Sequence, residues 1–291
     1  MKHTILNTLG VASGIAANNP GCAEGPGVLQ QSKYLKDLPC QLDWQKIFTP
    51  NTTNVAGSKT LPILTPLLKQ VAEQTLQWVK QKKSFLVFGG DHSCAIGTWS
   101  GAAVALQNQG PIGLIWIDAH MDSHTNQTTK TNNVHGMPLA ALLGHGHSDL
   151  INILSKQPKL QPQHICLIGV RSFESEEVEL LKKLNVKVFY MEEVQQRGMK
   201  AVMQDALEIV KNNTAGFGVS LDLDAIDPTE APGVGVPEKN GLTAQDLCNG
   251  LSLLQHEPNL LGLEIVEFNP QLDQQQKTEK LVGEIITSVF T

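Results

Sequence analysis

The sequence predicts an α/β fold: a mostly parallel, doubly wound sheet with helices on both faces. Short, almost wholly apolar runs alternate from end to end with longer segments of near 3.6-residue periodicity. Several of these runs have no polar face, as strands buried on both sides require. Across 291 residues no composition shift marks a linker and no internal repeat or low-complexity tract occurs, so a single domain over residues 1–291 is expected.

The elements follow in order. Thr4 to Leu9 predicts a first strand; Asn7, Thr8 and Ser13 interrupt this stretch too often for the apolar core of a signal peptide. Asn18 to Asn54, rich in Pro, Gly and Thr, resists the scheme. Leu67, Leu68, Val71, Leu76 and Val79 predict a helix over Leu64 to Val79. Strands are predicted at Phe85 to Phe88, Ile112 to Ile117, Ile165 to Ile168, Val186 to Tyr190, Phe217 to Leu221 and Leu261 to Val266. Helices are expected over Cys94 to Gln107, Glu174 to Leu184, Met199 to Val210, Thr243 to Gln255 and Thr278 to Phe290. Met121 to Val134 is polar and aperiodic, and long loops of this kind are often functional.

Composition narrows the function classes. With 22 Lys+Arg against 28 Asp+Glu the net charge is −6, which argues against a nucleic-acid partner. No run of 18 apolar residues exists to span a membrane. Five cysteines, an odd number with no C-x-x-C, give neither a zinc motif nor a disulfide framework, and fit a reducing cytoplasm.

The chemistry gathers at predicted strand ends, where open α/β sheets bind ligands. Phe88-Gly89-Gly90-Asp91-His92-Ser93 closes one strand and opens a helix; alone, it reads first as a capped helix start with an incidental histidine. The next strand ends Asp118-Ala119-His120-Met121-Asp122, and an extended backbone would place Asp118, His120 and Asp122 on one side. A water-facing polar loop is the competing reading, but stacked buried carboxylates need a compensating cation. A third strand runs into Asp222-Leu223-Asp224, again on one face, while Asp227 before Pro228 suits a turn or cap. Two imidazoles and four carboxylates are a ligand set for two metal ions. Oxygen-rich donors without thiolate favour Mn²⁺, with Co²⁺, Ni²⁺, Fe²⁺ or Zn²⁺ as substitutes. Such a pair can share a bridging water and lower its pKa, which makes hydrolysis the leading reaction class.

Together, Gly89-Gly90-Asp91-His92-Ser93, Asp118-Ala119-His120-Met121-Asp122 and Ser220 to Pro228 resemble the ureohydrolase family of arginases and agmatinases. The similarity extends from Gly21-Cys22-Ala23-Glu24-Gly25-Pro26 to Glu264 through Pro270, and Asn132 to Leu139 looks like arginase rather than agmatinase. The resemblance implies a three-layer αβα sandwich, assembled as trimers or hexamers. It also implies two Mn²⁺ per chain: one held by His92, Asp118, Asp122 and Asp222, the other by Asp118, His120, Asp222 and Asp224, with Asp118 and Asp222 bridging. His135 matches a proton shuttle or acid, and Glu267 a carboxylate that grips the guanidinium; with Asp122 they form the expected catalytic set. The implied reaction converts L-arginine to L-ornithine and urea.

The expected substrate-binding residues, His124, Thr131, Asn133, Glu174 and Glu267, depart in part from the arginase pattern. His124 stands where many arginases have Asn, Thr131 where Ser is usual, and Glu174 where Asp commonly meets the α-ammonium. Val234 and Val236 occupy positions typically Thr, and valine offers no hydrogen bond. Another guanidino substrate (agmatine or a guanidino acid) and a non-catalytic, metal-stabilised scaffold therefore stand as alternatives. His145 and His147 have no evident third ligand and are expected in an exposed loop. Cys94 has no matching base for a nucleophile's role.

Overall fold

The computed structural model describes residues 5–17, 20–52, 55 and 57–291; Thr4, Asn18 and Asn54, which bound two of the expected segments, lie outside them. Among the described residues eight strands form one sheet: β1 (Ile5–Val11), β2 (Gln41–Phe48), β3 (Phe85–Gly89), β4 (Ile112–Ile117), β5 (Ile165–Val170), β6 (Lys187–Tyr190), β7 (Gly216–Asp222) and β8 (Leu260–Val266). Every pairing is parallel, in the order β2-β1-β3-β8-β7-β4-β5-β6. All six apolar runs singled out in the sequence coincide with strands, five lying wholly within them and the sixth beginning one residue early, at Val186 before β6.

The inner strands are buried at every position of β3, β4, β5 and β7. Alternate residues feed two apolar clusters, one on each face of the sheet. Phe85 and Val87 join helices Leu61–Lys80 and Ala95–Leu106. Leu86 and Phe88 belong with helices Met199–Lys211, Ala244–Leu251 and Lys277–Phe290. Fully burying each such side chain contributes roughly 1.5–3 kcal/mol.

The departures have local causes. β2 lies within the stretch that resists prediction, because an edge strand with one neighbour needs only partial burial. Its Gln41, Asp43, Gln45 and Lys46 dilute the apolar signal. Helix Gly25–Gln31, with Pro26 in its first turn, lies in the same stretch. The helix expected to Gln255 ends at Leu251 and tightens into a 3₁₀ turn, Ser252–Leu254.

Chain order and spatial order diverge at the centre. Since β8 and β7 fill the gap between β3 and β4, the carboxyl ends of β3, β8, β7 and β4 are consecutive neighbours. Those four ends carry the sequence motifs.

Candidate metal centre

After β3, the chain turns at Gly90, where a Cβ would lie 2.0 Å from the Ser13 carbonyl oxygen, so only glycine fits. Asp91 then caps the turn His92–Cys94, accepting from the Ser93 amide at 3.1 Å. Its other oxygen accepts from the Ala16 amide at 3.2 Å and the Ser13 hydroxyl at 3.3 Å. This delivers His92 inward, 1% exposed, with its ring stacked on Trp116 at 4.2 Å and 12°.

β4 stops at Ile117, so Asp118, His120 and Asp122 do not converge by strand alternation, as the sequence suggests. They converge because the chain curls. Asp118 accepts from the His120 amide at 2.7 Å and the Trp116 indole at 2.9 Å. Asp122 adopts a left-handed φ of 47° that brings its Oδ2 to 3.1 Å from His92 Nδ1. The same correction applies to the third motif. Asp222 ends β7 and caps the 3₁₀ turn Leu223–Ala225 by accepting from the Asp224 amide at 2.8 Å. Asp224 Oδ2 then lies 3.0 Å from His120 Nδ1.

Two overlapping triads result, His92 with Asp118 and Asp222, and Asp118 with His120 and Asp224, the ligand atoms within each lying within 4.8 Å of one another. Their hydrogen bonding fits divalent cations. The Ser220 hydroxyl spends its proton on Glu264 Oε2 at 2.7 Å, so it accepts from His92 Nε2 at 3.0 Å. That leaves His92 Nδ1 without a hydrogen-bond partner, facing oxygens of Asp118, Asp122 and Asp222 at 3.1–3.3 Å. A lone pair aimed at three carboxylates is a cation's place. Burial, then repulsion from Asp118, pushes Asp122 up to about 7. Burial, then Asp224 and Asp118, raises Asp222 well above the carboxylate range. Bound cations relieve both costs.

Glu267 immediately follows β8 at a left-handed φ of 65°, its amide donating to the Gly90 carbonyl at 2.8 Å. Its Oε1 accepts from the His92 amide at 3.0 Å and lies 3.5 Å from His135 Nδ1. His135 sits in a 3₁₀ turn, Val134–Gly136, with its amide on the Ala16 carbonyl at 3.3 Å. Burial opposes its protonation, yet Glu267, with Asp122 and Asp91 behind it, pushes its pKa up to about 9.

A cavity of about 280 Å³ opens above this floor, lined by His120, Asp122, Asp222, Asp224, His135 and Glu267 below and by His124, Thr131, Asn133 and Glu174 at its rim. His92 and Asp118 lie beneath its lining, 1% and 0% exposed. The two valines part company. Val236 faces the cavity, whereas Val234 is fully buried and bridges to Phe268. Glu174 Oε2 is already 2.7 Å from the Lys130 ammonium and 3.6 Å from His124 Nε2. His145 and His147 are half-buried rather than exposed, and His147 caps the turn Ser148–Ile151. Asp227 takes the turn role, accepting from Thr229 and Gly241 amides at 3.1 and 3.2 Å.

Several contributors were given no role by the sequence motifs. Arg171 spends its donors on five main-chain carbonyls, Gly169, Asp224, Ala225, Glu238 and Lys239, at 2.7–3.2 Å, tying three loops beneath the rim. Glu238 accepts from Ser172 at 3.0 Å and stands 3.7 Å from His120 Nε2. Glu264, fully buried, accepts from Trp99 at 3.0 Å, from Ser220 and from Thr98. Its place as a lone Glu within the apolar run Leu261 to Val266, at the start of the Glu264 to Pro270 segment, is the signal that could have flagged it.

The Arginase family profile matches residues 6–291. An arginase of Bacillus subtilis (strain 168) is 32% identical over 98% of this chain and 97% of its own. One of Bacillus caldovelox is 40% identical over 76% of this chain and 73% of its own. The native structure of Bacillus caldovelox arginase superimposes with a TM-score of 0.91 at 33% identity, covering 99% of this chain and 98% of that one.

Proposed function

The chain belongs to the arginase family, and from that premise we propose that it hydrolyses L-arginine to L-ornithine and urea, using two Mn²⁺ ions per chain. The observation that carries this reading is the pair of overlapping His and Asp triads at adjacent strand ends, facing Glu267 across a closed floor. His92, Asp118, Asp122 and Asp222 would hold one ion, and Asp118, His120, Asp222 and Asp224 the other. Oxygen and imidazole donors without thiolate favour manganese. When bound, such a pair supplies Lewis-acid chemistry and makes water nucleophilic near neutral pH.

The chain's own groups bind and orient. Glu267 offers a buried carboxylate to the guanidinium, a charge-assisted fork that fixes the reacting carbon above Asp122, Asp222 and Asp224. His135, beside Glu267 and held protonated by it, delivers a proton to the departing amine. His124, Thr131, Asn133 and Glu174 meet the amino-acid end at the rim, where Glu174 must trade Lys130 for an α-ammonium. Urea release from L-arginine by Mn²⁺-loaded protein, with metal counted per chain, tests the reading; no urea from any guanidine would sink it.

A second reading, another guanidino substrate, draws on Val236, which lines the cavity without a hydroxyl, and on the Lys130 contact with Glu174. Agmatine and guanidino acids assayed beside L-arginine separate the two, and a wide margin for L-arginine ends the second.

A single domain over residues 1–291 is supported by one sheet whose strands run from Ile5 to Val266. Among the described residues no helix is long and apolar enough to cross a membrane. A small-molecule substrate without nucleic acid, a cytoplasmic setting, and assembly as a homotrimer or hexamer complete the proposal; light scattering checks the last.

A further inference from the structure

We propose that Cys22 is a positioning residue for Glu267, its thiol holding Oε2 so that each carboxylate oxygen keeps one acceptor site open to a guanidinium. The inference rests on the reading of Glu267 given above. Cys22 lies in the 3₁₀ turn Pro20–Glu24 and is fully buried. Its Sγ stands 3.2 Å from Glu267 Oε2 and 3.6 Å from the Glu267 carbonyl oxygen. The turn is packed hard against the residues that follow. A Cβ at Gly21 would meet the Asn269 side chain at 2.5 Å, and one at Gly25 the Phe268 carbonyl oxygen at 2.5 Å. Cys22 therefore has little freedom to leave the carboxylate.

Burial and the adjacent negative charge of Glu267 drive the thiol's pKa far upward, so the sulfur carries its proton and donates. The count of lone pairs then matters. A carboxylate offers about four acceptor sites, two per oxygen. The His92 amide takes one on Oε1 and Cys22 takes one on Oε2. One site remains on each oxygen, the pair that two parallel N–H donors of a guanidinium require. His135 Nδ1, at 3.5 Å from Oε1, makes a long contact from the cavity side that a bound guanidinium can take over. The donors on the buried side thus set the carboxylate's rotation before substrate arrives.

Cys22→Val keeps the approximate volume and removes the donor, whereas Cys22→Ser keeps a donor. In metal-loaded protein, Cys22→Val should raise KM for L-arginine about fivefold, with kcat and metal content within about twofold of the parent. Cys22→Ser should restore KM to within about twofold, by the same donor logic. The Ki of L-ornithine, which has no guanidinium to meet the fork, should not move in either variant. An unchanged KM in Cys22→Val, a Cys22→Ser as impaired as Cys22→Val, or an equal rise in the L-ornithine Ki would each overturn the proposal. If Cys22→Val does not fold, Cys22→Ala against Cys22→Ser reads the same difference. A parent protein without urea release from any guanidine overturns both this inference and the reading of Glu267; an active parent with an indifferent Cys22→Val overturns this one alone.

Discussion

The floor and the rim of the cavity are built differently. On the floor, Asp118, Asp222, Asp224 and Glu267 lie at or just past strand ends, are at most 3% exposed, and each accepts from a main-chain amide: those of His120 and Asp224 two residues on for Asp118 and Asp222, and those of Ala119 and His92 from other strand ends for Asp224 and Glu267. On the rim, Glu174 lines the cavity with its side chain 41% exposed, and beside it on loops stand Lys130 and Glu238, 67% and 33% exposed. The sheet sets the floor, while the rim is carried on more exposed loops. One scaffold can then keep its reaction while its choice of substrate shifts.

Disturbing the floor should have the largest effect. Asp118 belongs to both triads, so Asp118→Ala should lose metal and lower kcat/KM at least about a thousandfold, read by metal analysis and urea release. Chelation of the parent should lower its thermal midpoint by roughly 10 °C, as expected when ligand at about 1,000 times its Kd is withdrawn. An apoprotein that melts with the parent would mean that the floor is preorganised without cations.

His135 stands between the two regions and should give an intermediate effect. His135→Asn should reduce kcat about a hundredfold with metal retained. The sign of its pH dependence follows from the upward shift. The proton is present below about 9 and lost above it, so the parent's kcat should fall as pH rises through that value, and the variant should lack that limb. A pH–rate profile checks this.

Rim changes should be smaller and should appear in selectivity. Val236→Thr returns a hydroxyl to the cavity wall and should raise kcat/KM for L-arginine about fivefold relative to agmatine, a single hydrogen bond's worth. Lys130→Met should change kcat/KM by less than about twofold, because an exposed ion pair is worth little. Should Lys130→Met instead alter selectivity more than Val236→Thr, the rim would be under tighter control than its exposure suggests.

The floor was legible in the sequence because its residues directly follow the apolar runs that form the central strands. The reason given for their convergence was not. Strand alternation would have required β4 to continue through Asp122, whereas the chain leaves the sheet at Ile117 and uses a left-handed Asp122 to bring the last carboxylate round. Sequence could not separate Val234 from Val236, because which of two nearby valines faces a cavity depends on a bridge to Phe268. Arg171 and Glu238 were silent for another reason: each acts on groups distant in the chain, and isolated polar residues carry no periodicity to betray them; Cys22 lay inside a segment of the family resemblance that gave it no role. The edge strand β2 was missed because a half-covered strand needs few apolar residues.

Arg171 grips Ala225 and Asp224 on one side and Glu238 and Lys239 on the other, so the intervening stretch that carries Val236 is cinched at its neck by one guanidinium. Within that stretch Val234 is fully buried and bridged to Phe268, and a Cβ at Gly233 would meet the Asp273 side chain at 2.7 Å, so variation is confined to the cavity-facing end around Val236. For anyone redesigning selectivity, Val236 is the position to exchange, and Arg171 is the clasp to leave untouched.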